Sequence, residues 1–441
     1  MKHPEANPDP LTVIPRSQHN ISRKSIADSA LKVLYRLNKS GHRACLVGGG
    51  VRDLLIGVQP KDFDVATDAT PEEVRALFKN SRIIGRRFRL VHIRFGRDII
   101  EVATFRAHSE DSPKTELDTH GRILRDNTFG DIEEDAIRRD FTVNALYYDI
   151  SDYSVLDYAG GLDDIEKRQL RLIGDATTRY QEDPVRMLRA IRFAAKLDFD
   201  IETTAADAIY ECGRLLAAIP PARMFDEVIK LFHSGSALRA FALLREFDLL
   251  KYLVPALDEW IHDDPSESML DFIDQALVNT DARVNTGQPV SPGFIFAVLL
   301  WPVVLQQANR TQSEKHRMIP ALVSVGESVM KRQVRHVSIP RRFSQMARDI
   351  WSAQPRFHRT QGKQPQRLLE FPVFRAAYDF MCIQAMVGLL PYKLSRWWTD
   401  YQLEHAPSQE NSRDKTSDRP RRSRRRRPRR KPADQNRNAA N

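Results

Sequence analysis

The sequence predicts a small α/β unit with a mixed sheet, followed by a long all-helical region and a disordered basic tail. Three observations predict it. Between residues 25 and 165, short apolar runs alternate with stretches of helical period and are separated by glycine turns. Beyond Asp183 the helical period takes over, and from about residue 405 almost nothing apolar remains. At 441 residues the chain exceeds one ordinary core, so two or three packed units are expected.

The elements follow in order. Residues 1–24, rich in Pro, Asn and Ser and without a sustained period, read as a disordered leader. Ile26, Ala30, Leu31, Leu34 and Leu37 mark a helix that ends at Lys39-Ser40-Gly41, and a short apolar strand over 44–47 runs into the glycines Gly48, Gly49 and Gly50. A short helix over 51–57 and a strand over 63–66 come next. Thr70-Pro71-Glu72-Glu73 then opens a helix, with Thr70 as its cap and proline at its first position. Residues 89–95 and 98–106 alternate around Gly96-Arg97 as a β-hairpin. A helix is expected over 132–144, a strand over 145–150, and a turn at Ala159-Gly160-Gly161 closes the α/β unit near residue 165.

Composition narrows the function classes. Apolar residues make up 41% and charged residues 29%, which suits a globular protein with real cores. No run approaches the roughly eighteen consecutive apolar residues of a membrane-spanning helix, and the N-terminus has no apolar targeting region, so a cytoplasmic location is expected. Cys45, Cys212 and Cys382 form neither a CxxC pair nor a zinc spacing. The net charge of +10 is matched by one run, 419–431 (RPRRSRRRRPRRK), whose nine arginines and one lysine include Arg421, Arg422, Arg424, Arg425, Arg426, Arg427, Arg429 and Arg430. Such a run neutralises phosphates, so a polyanion such as RNA is the favoured partner.

The strongest chemical signal lies in LVGGGVRDLLIGVQPKDFDV, residues 46–65. Asp62 and Asp64, two apart on a strand, share a face and supply hard oxygen ligands for Mg2+. Two such ions activate an attacking hydroxyl and neutralise a triphosphate during in-line displacement. Gly49 and Gly50 let the backbone approach phosphate oxygens, and Arg52 adds positive charge. A third carboxylate is expected, with Glu101 on the hairpin as first candidate and Asp140 as its rival. In DAIRRDFTVNALYY, Arg139 is expected to fork onto phosphate or ribose oxygens, and Asp140 to orient it, accept a ribose hydroxyl or serve the metals. In EDPVRMLRAIRF, Arg186, Arg189 and Arg192 recur every third residue below Asp183, a flank able to read a base through donors and acceptors. His262-Asp263 lacks a second His-rich segment and reads as surface. Trp397-Trp398 reads as packing in preference to RNA stacking.

LVGGGVRDLLIG, KDFDVAT, RRDFTVNAL and EDPVRMLRAIRFAA together resemble the class II polymerase-beta-like nucleotidyltransferases, which include bacterial poly(A) polymerases and tRNA CCA-adding enzymes. The resemblance covers residues 25–230. It implies a nucleotidyltransferase head (25–165), a helical neck that selects the nucleotide (166–235), a helical body that holds RNA (236–404) and the basic tail (405–441). It further implies that Asp62 and Asp64 hold the metals, that Gly49 and Arg52 contact the triphosphate of ATP, that Arg139 contacts the nucleotide, and that Asp183, Arg186, Arg189 and Arg192 recognise the base. The hairpin and the arginine-rich tail are similar to the poly(A) polymerase branch, which implies template-independent addition of AMP to RNA 3′ ends of mRNA, small RNAs and decay intermediates, with RNA-decay proteins as candidate partners. CCA addition to tRNA and a non-catalytic RNA-binding role are the alternatives.

Overall fold

The computed structural model describes residues 11–85, 89–107, 116–117, 123–125, 128–263, 265–311 and 318–405. The arginine run lies outside these residues, as do residues 1–10.

The head is built on one eight-stranded mixed sheet. Its elements in chain order are β1 (Thr12–Ile14), α1 (Asp28–Lys39), β2 (Ala44–Val47), α2 (Gly49–Leu55), β3 (Asp64–Thr67), α3 (Pro71–Leu77), β4 (Ser81–Ile84), β5 (Leu90–Phe95) and β6 (Asp98–Thr104). A small ladder, β7 (Glu116–Leu117) with β8 (Ile123–Arg125), is followed by α4 (Ile132–Ile137), β9 (Leu146–Asp149), β10 (Val155–Asp157) and α5 (Gly161–Glu166). The sheet order is β1-β10-β9-β2-β3-β6-β5-β4, with β3 and β6 parallel and the other pairs antiparallel. α1 buries Ala30, Val33, Leu34 and Leu37 against one sheet face, as its period requires. α3 starts with a full capping box between Thr70 and Glu73, with Pro71 in its first turn. The hairpin turn at Gly96 has φ +63°, the left-handed region open to glycine.

Three expectations are corrected here. Residues 12–14 of the expected leader form edge strand β1, paired to β10 with Thr12 opposite Asp157, and Ile21 is buried. A short apolar run, Leu11 to Ile14 between Pro10 and Pro15, is too brief to show a period yet makes an acceptable edge strand, because only one side of it needs partners. The helix expected over 132–144 stops at Ile137, since Phe141 turns extended and bridges to Leu172. Asp62 lies just before β3, which begins at Asp64, so the two acids are not on one strand.

The neck opens with β11 (Gln169–Leu170) and α6 (Ala176–Glu182), then runs through α7 (Val185–Leu197), β12 (Asp200–Ile201), α8 (Thr203–Cys212) and α9 (Pro221–Phe232). The parallel β11–β12 contact is a short departure from an all-helical neck. The body consists of α10 (Ala237–Glu246), α11 (Leu250–Leu253), α12 (Pro255–Asp263), α13 (Glu267–Asn285), α14 (Pro292–Thr311), α15 (Met318–Gln333), α16 (Arg341–Ala353), α17 (Gln364–Leu369), α18 (Phe374–Met386) and α19 (Tyr392–His405). One continuous core joins neck and body and extends into the head through Phe141 and Val143. Val185, Leu188 and Ile191 of α7 are fully enclosed, each contributing about 1.5–3 kcal/mol of burial, which holds this helix in the core shared by neck and body. α14 is long and apolar enough to cross a membrane by composition, but it is largely buried within the body. His262 is exposed, as expected, and Trp398 is core, donating its indole N–H to the Phe357 carbonyl.

Candidate active site

The site forms where the glycine turn, the carboxylate edge of the sheet and the start of the neck meet. Gly48 caps α2 with φ +71° and ψ −136°, a conformation strained for any side chain, and a Cβ there would stand 3.7 Å from Nη1 of Arg139. Gly50 packs on the chain just before β3, with its missing Cβ 3.5 Å from the Asp62 carbonyl. Gly49 lies over the Arg52 guanidinium. The turn is thereby held against both the acids and the arginines.

Register places the acids. Val47 pairs with Asp64, and Asp64 pairs with Glu101 across the parallel β3–β6 ladder. The side chains of Asp62, Asp64 and Glu101 are all open to solvent. Asp64 lies in a partly enclosed position, and its carboxyl is pushed up to about 6, first by burial and then by the negative charge of Glu101. Arg139 opposes the shift and Asp62 adds to it. These four groups therefore share one field. Glu101, the first candidate for a third acid, thus stands in register beside Asp64.

Asp140, the rival, is engaged by the neck. It accepts hydrogen bonds from Nε and Nη2 of Arg189, from the Phe141 amide and from Asn144. Burial raises its carboxyl, but the charge and hydrogen bonds of Arg189 outweigh this and hold it below the usual carboxylate range. Asp140 thereby also links head to neck, with its oxygens accepting from Arg189, the Phe141 amide and Asn144.

Arg139 is braced by Asp135. Its Nε and Nη2 donate to Asp135 Oδ2 at 3.2 and 2.7 Å, and the Tyr147 hydroxyl donates to the same oxygen at 2.7 Å. This leaves Nη1 on the side of Gly48 and the acids. Arg52, expected to contact phosphate, is only 2% exposed. Its Nε and Nη2 donate to Asp53 at 2.9 and 2.6 Å, and Nη1 donates to Asn144. It therefore props the glycine turn from behind instead of reaching into the cleft, a correction with a steric cause.

Asp183 and the arginines of α7 do not form one uniform flank. Asp183 precedes the helix and accepts from Nη2 of Arg223, on α9, at 2.7 Å. Arg186 Nη1 donates to Glu182 and to the Arg179 carbonyl, both at 2.7 Å. Arg189 turns to Asp140. Arg192 has a buried Nε with no hydrogen-bond partner among the described residues, and its guanidinium is 4.8 Å from the Phe193 ring. Burial and the neighbouring Arg189 lower its pKa. Arg52 and Arg189 also face the Phe193 ring, at 5.3 and 5.4 Å, so three guanidinium groups gather round one phenyl. Such a gathering favours an incoming anion. Phe193, Asn144, Asp135 and His92 were not singled out in sequence. His92 alone carried a signal, as it lies across the hairpin from Glu101.

Comparison with known proteins is consistent along the chain. Residues 44–171 match the poly A polymerase head domain family, residues 198–261 the family described as a probable RNA and SrmB-binding site of polymerase A, and residues 314–431 the polymerase A arginine-rich C-terminus. Poly(A) polymerase I of Salmonella typhi is 46% identical over 93% of this chain and 90% of its own, and that of Haemophilus influenzae is 42% identical over 90% and 89%. A CCA-adding enzyme of Geobacillus thermodenitrificans is 40% identical, but over 52% of this chain and 55% of its own. Among solved structures, the CCA-adding enzyme of Bacillus stearothermophilus in complex with CTP aligns with a TM-score of 0.58 and 26% identity, covering 85% of this chain and 80% of that one.

Proposed function

This chain belongs to the bacterial poly(A) polymerase family, and from that membership we propose the roles of its cleft residues. The protein is a template-independent nucleotidyltransferase that extends RNA 3′ ends with AMP from ATP and releases pyrophosphate. One observation carries this reading over CCA addition: sequence similarity to poly(A) polymerase I spans nine-tenths of the chain, whereas sequence similarity to the CCA-adding enzyme of Geobacillus thermodenitrificans spans about half, although the fold is shared more widely.

Asp62, Asp64 and Glu101 are the metal-facing carboxylates. The donor set fits Mg2+, which binds through one or two carboxylates and completes its shell with phosphates and water. Among the described residues no three His, Cys, Asp or Glu side chains stand together as a metal-holding group, so substrate phosphates and water would have to complete the shell of an ion on these carboxylates. When bound, Mg2+ neutralises triphosphate charge and acidifies the RNA 3′-hydroxyl. The 3′-oxygen bonds to the α-phosphorus as the bond to the departing pyrophosphate breaks.

The remaining roles belong to binding and orientation. The amides at Gly49 and Gly50 face the phosphates at the start of α2. Arg139, fixed by Asp135 and Tyr147, offers Nη1 to the nucleotide. Arg192 supplies the uncommitted positive charge. Asp183 and Arg186, clamped by Arg223 and Glu182, present an acceptor and a donor to the N6 amino group and ring nitrogen of adenine. Clamped readers reject bases with the opposite pattern, since a mismatch strands a buried polar group. The arginine run holds RNA 3′ ends non-specifically, and RNA-decay proteins are its candidate partners. Burial of α14 in the body supports a cytoplasmic location.

The test is to incubate the protein with 3′-hydroxyl RNA, Mg2+ and each nucleoside triphosphate in turn. Long ladders with ATP alone are expected. Short additions that require CTP and a truncated tRNA would overturn the assignment.

A further inference from the structure

Glu101 has a neighbour on its other side. In the antiparallel β5–β6 ladder, Glu101 pairs with His92, and the His92 imidazole Nε2 lies 3.0 Å from Glu101 Oε1. Glu101 pairs in turn with Asp64. Asp64, Glu101 and His92 thus stand in one lateral row across β3, β6 and β5, on the face opposite buried Val65, Val102 and Val91. The His92 side chain is 26% exposed and that of Glu101 is 52% exposed, so the glutamate is the freer of the two. An ionised carboxylate only accepts hydrogen bonds, so Nε2 is the donor and Oε1 is occupied.

We propose that His92 is a positioning residue: its hydrogen bond holds Glu101 so that Oε2 remains directed along the row toward Asp64 and the divalent cation. The inference rests on the reading of Glu101 as the third carboxylate. An untethered glutamate on an exposed strand samples several rotamers, and fixing one lowers the entropy cost of coordination. Groups that orient metal ligands in this way change metal affinity about 10–100-fold when removed.

The experiment measures Mn2+ binding to the full-length protein by electron paramagnetic resonance, with thermal melts in EDTA as the check on folding. His92→Ala weakens Mn2+ binding at least about tenfold with an unchanged melting midpoint. His92→Gln, whose amide is a donor of similar reach, recovers most of that affinity, and the Mg2+ concentration for half-maximal polymerisation follows the same order. In a Glu101→Ala background, His92→Ala has no further effect on Mn2+ binding, because the tethered group is gone. Unchanged Mn2+ affinity in His92→Ala, or an equal loss in the Glu101→Ala background, overturns the role of His92 while leaving Glu101 in place. Unchanged Mn2+ affinity in Glu101→Ala alone overturns the third carboxylate, and the tether with it.

Discussion

Arg189 on α7 reaches back 49 residues to grip the carboxylate of Asp140 with both Nε and Nη2. The pair joins the neck to the head at a point where Asp140 also ties down the Phe141 amide and Asn144. Asn144 in turn accepts from Arg52 under the glycine turn. A mutation in the neck is therefore felt at the phosphate-facing turn.

Loss of this clasp is expected to cost stability. Asp140→Ala leaves Arg189 partly buried without its anion and is expected to lower unfolding free energy by about 2–3 kcal/mol, less than a fully buried pair because Arg189 keeps some solvent contact. Since the folded carboxyl of Asp140 lies below its unfolded value, the contribution is complete above about pH 4 and is lost as pH falls through the folded pKa. Urea unfolding at pH 6 and at pH 3 should show a wild-type-to-variant gap that narrows at the lower pH.

Asp64→Asn is expected to reduce the polymerisation rate on the order of 10³-fold while leaving RNA affinity within about twofold, because metal placement serves the transition state. Single-turnover kinetics and filter binding separate the two quantities. A parallel loss of RNA binding would place Asp64 in the RNA interface instead.

Protons compete with the cation at the same group. With its carboxyl near 6 in the metal-free protein, raised by burial, Glu101 and Asp62 against the opposing Arg139, Asp64 is mostly charged at pH 7.5 and mostly protonated at pH 5. Half-maximal Mg2+ should therefore rise by about tenfold per pH unit below 6 and level off above 7. Steady-state Mg2+ titrations at fixed ATP check this, and a flat profile between pH 5 and 6 would contradict it.

Arg192 carries charge at a cost that the nucleotide relieves. Arg192→Met is expected to raise the KM for ATP about tenfold, the worth of one charge-assisted hydrogen bond. In the absence of nucleotide the same change should raise the melting midpoint by roughly 2 °C, since it removes a buried Nε–H that has no hydrogen-bond partner among the described residues. A lower midpoint would mean that Arg192 is satisfied within the fold.

The arginine run predicts a salt dependence. Removing residues 408–441 should weaken binding to single-stranded RNA and reduce the slope of log affinity against log salt by about 7 from the run alone, about 0.7 for each of the ten cations in residues 419–431. An unchanged slope in salt titrations would assign the run to a different partner.

By itself the sequence determined the local features. The Thr70 capping box, the hairpin about Gly96, the glycine turn before the acids and the helical body all depend on neighbours a few residues apart, whose propensities and periods are written in order along the chain. The motif order also marked Asp62, Asp64 and the α7 arginines as one region. Tertiary structure decided which way each charge faces. Glu101 stands beside Asp64 because β6 joins β3 in parallel register, while Asp140 is held by Arg189 from 49 residues away. Arg52 is buried on Asp53 and Asn144, and Nε of Arg192 is buried with no hydrogen-bond partner among the described residues. β1 finds its place only because β10 leaves an open edge. Ion-pair choice, strand register and burial are set by groups tens of residues apart, and a one-dimensional pattern carries no term for those distances.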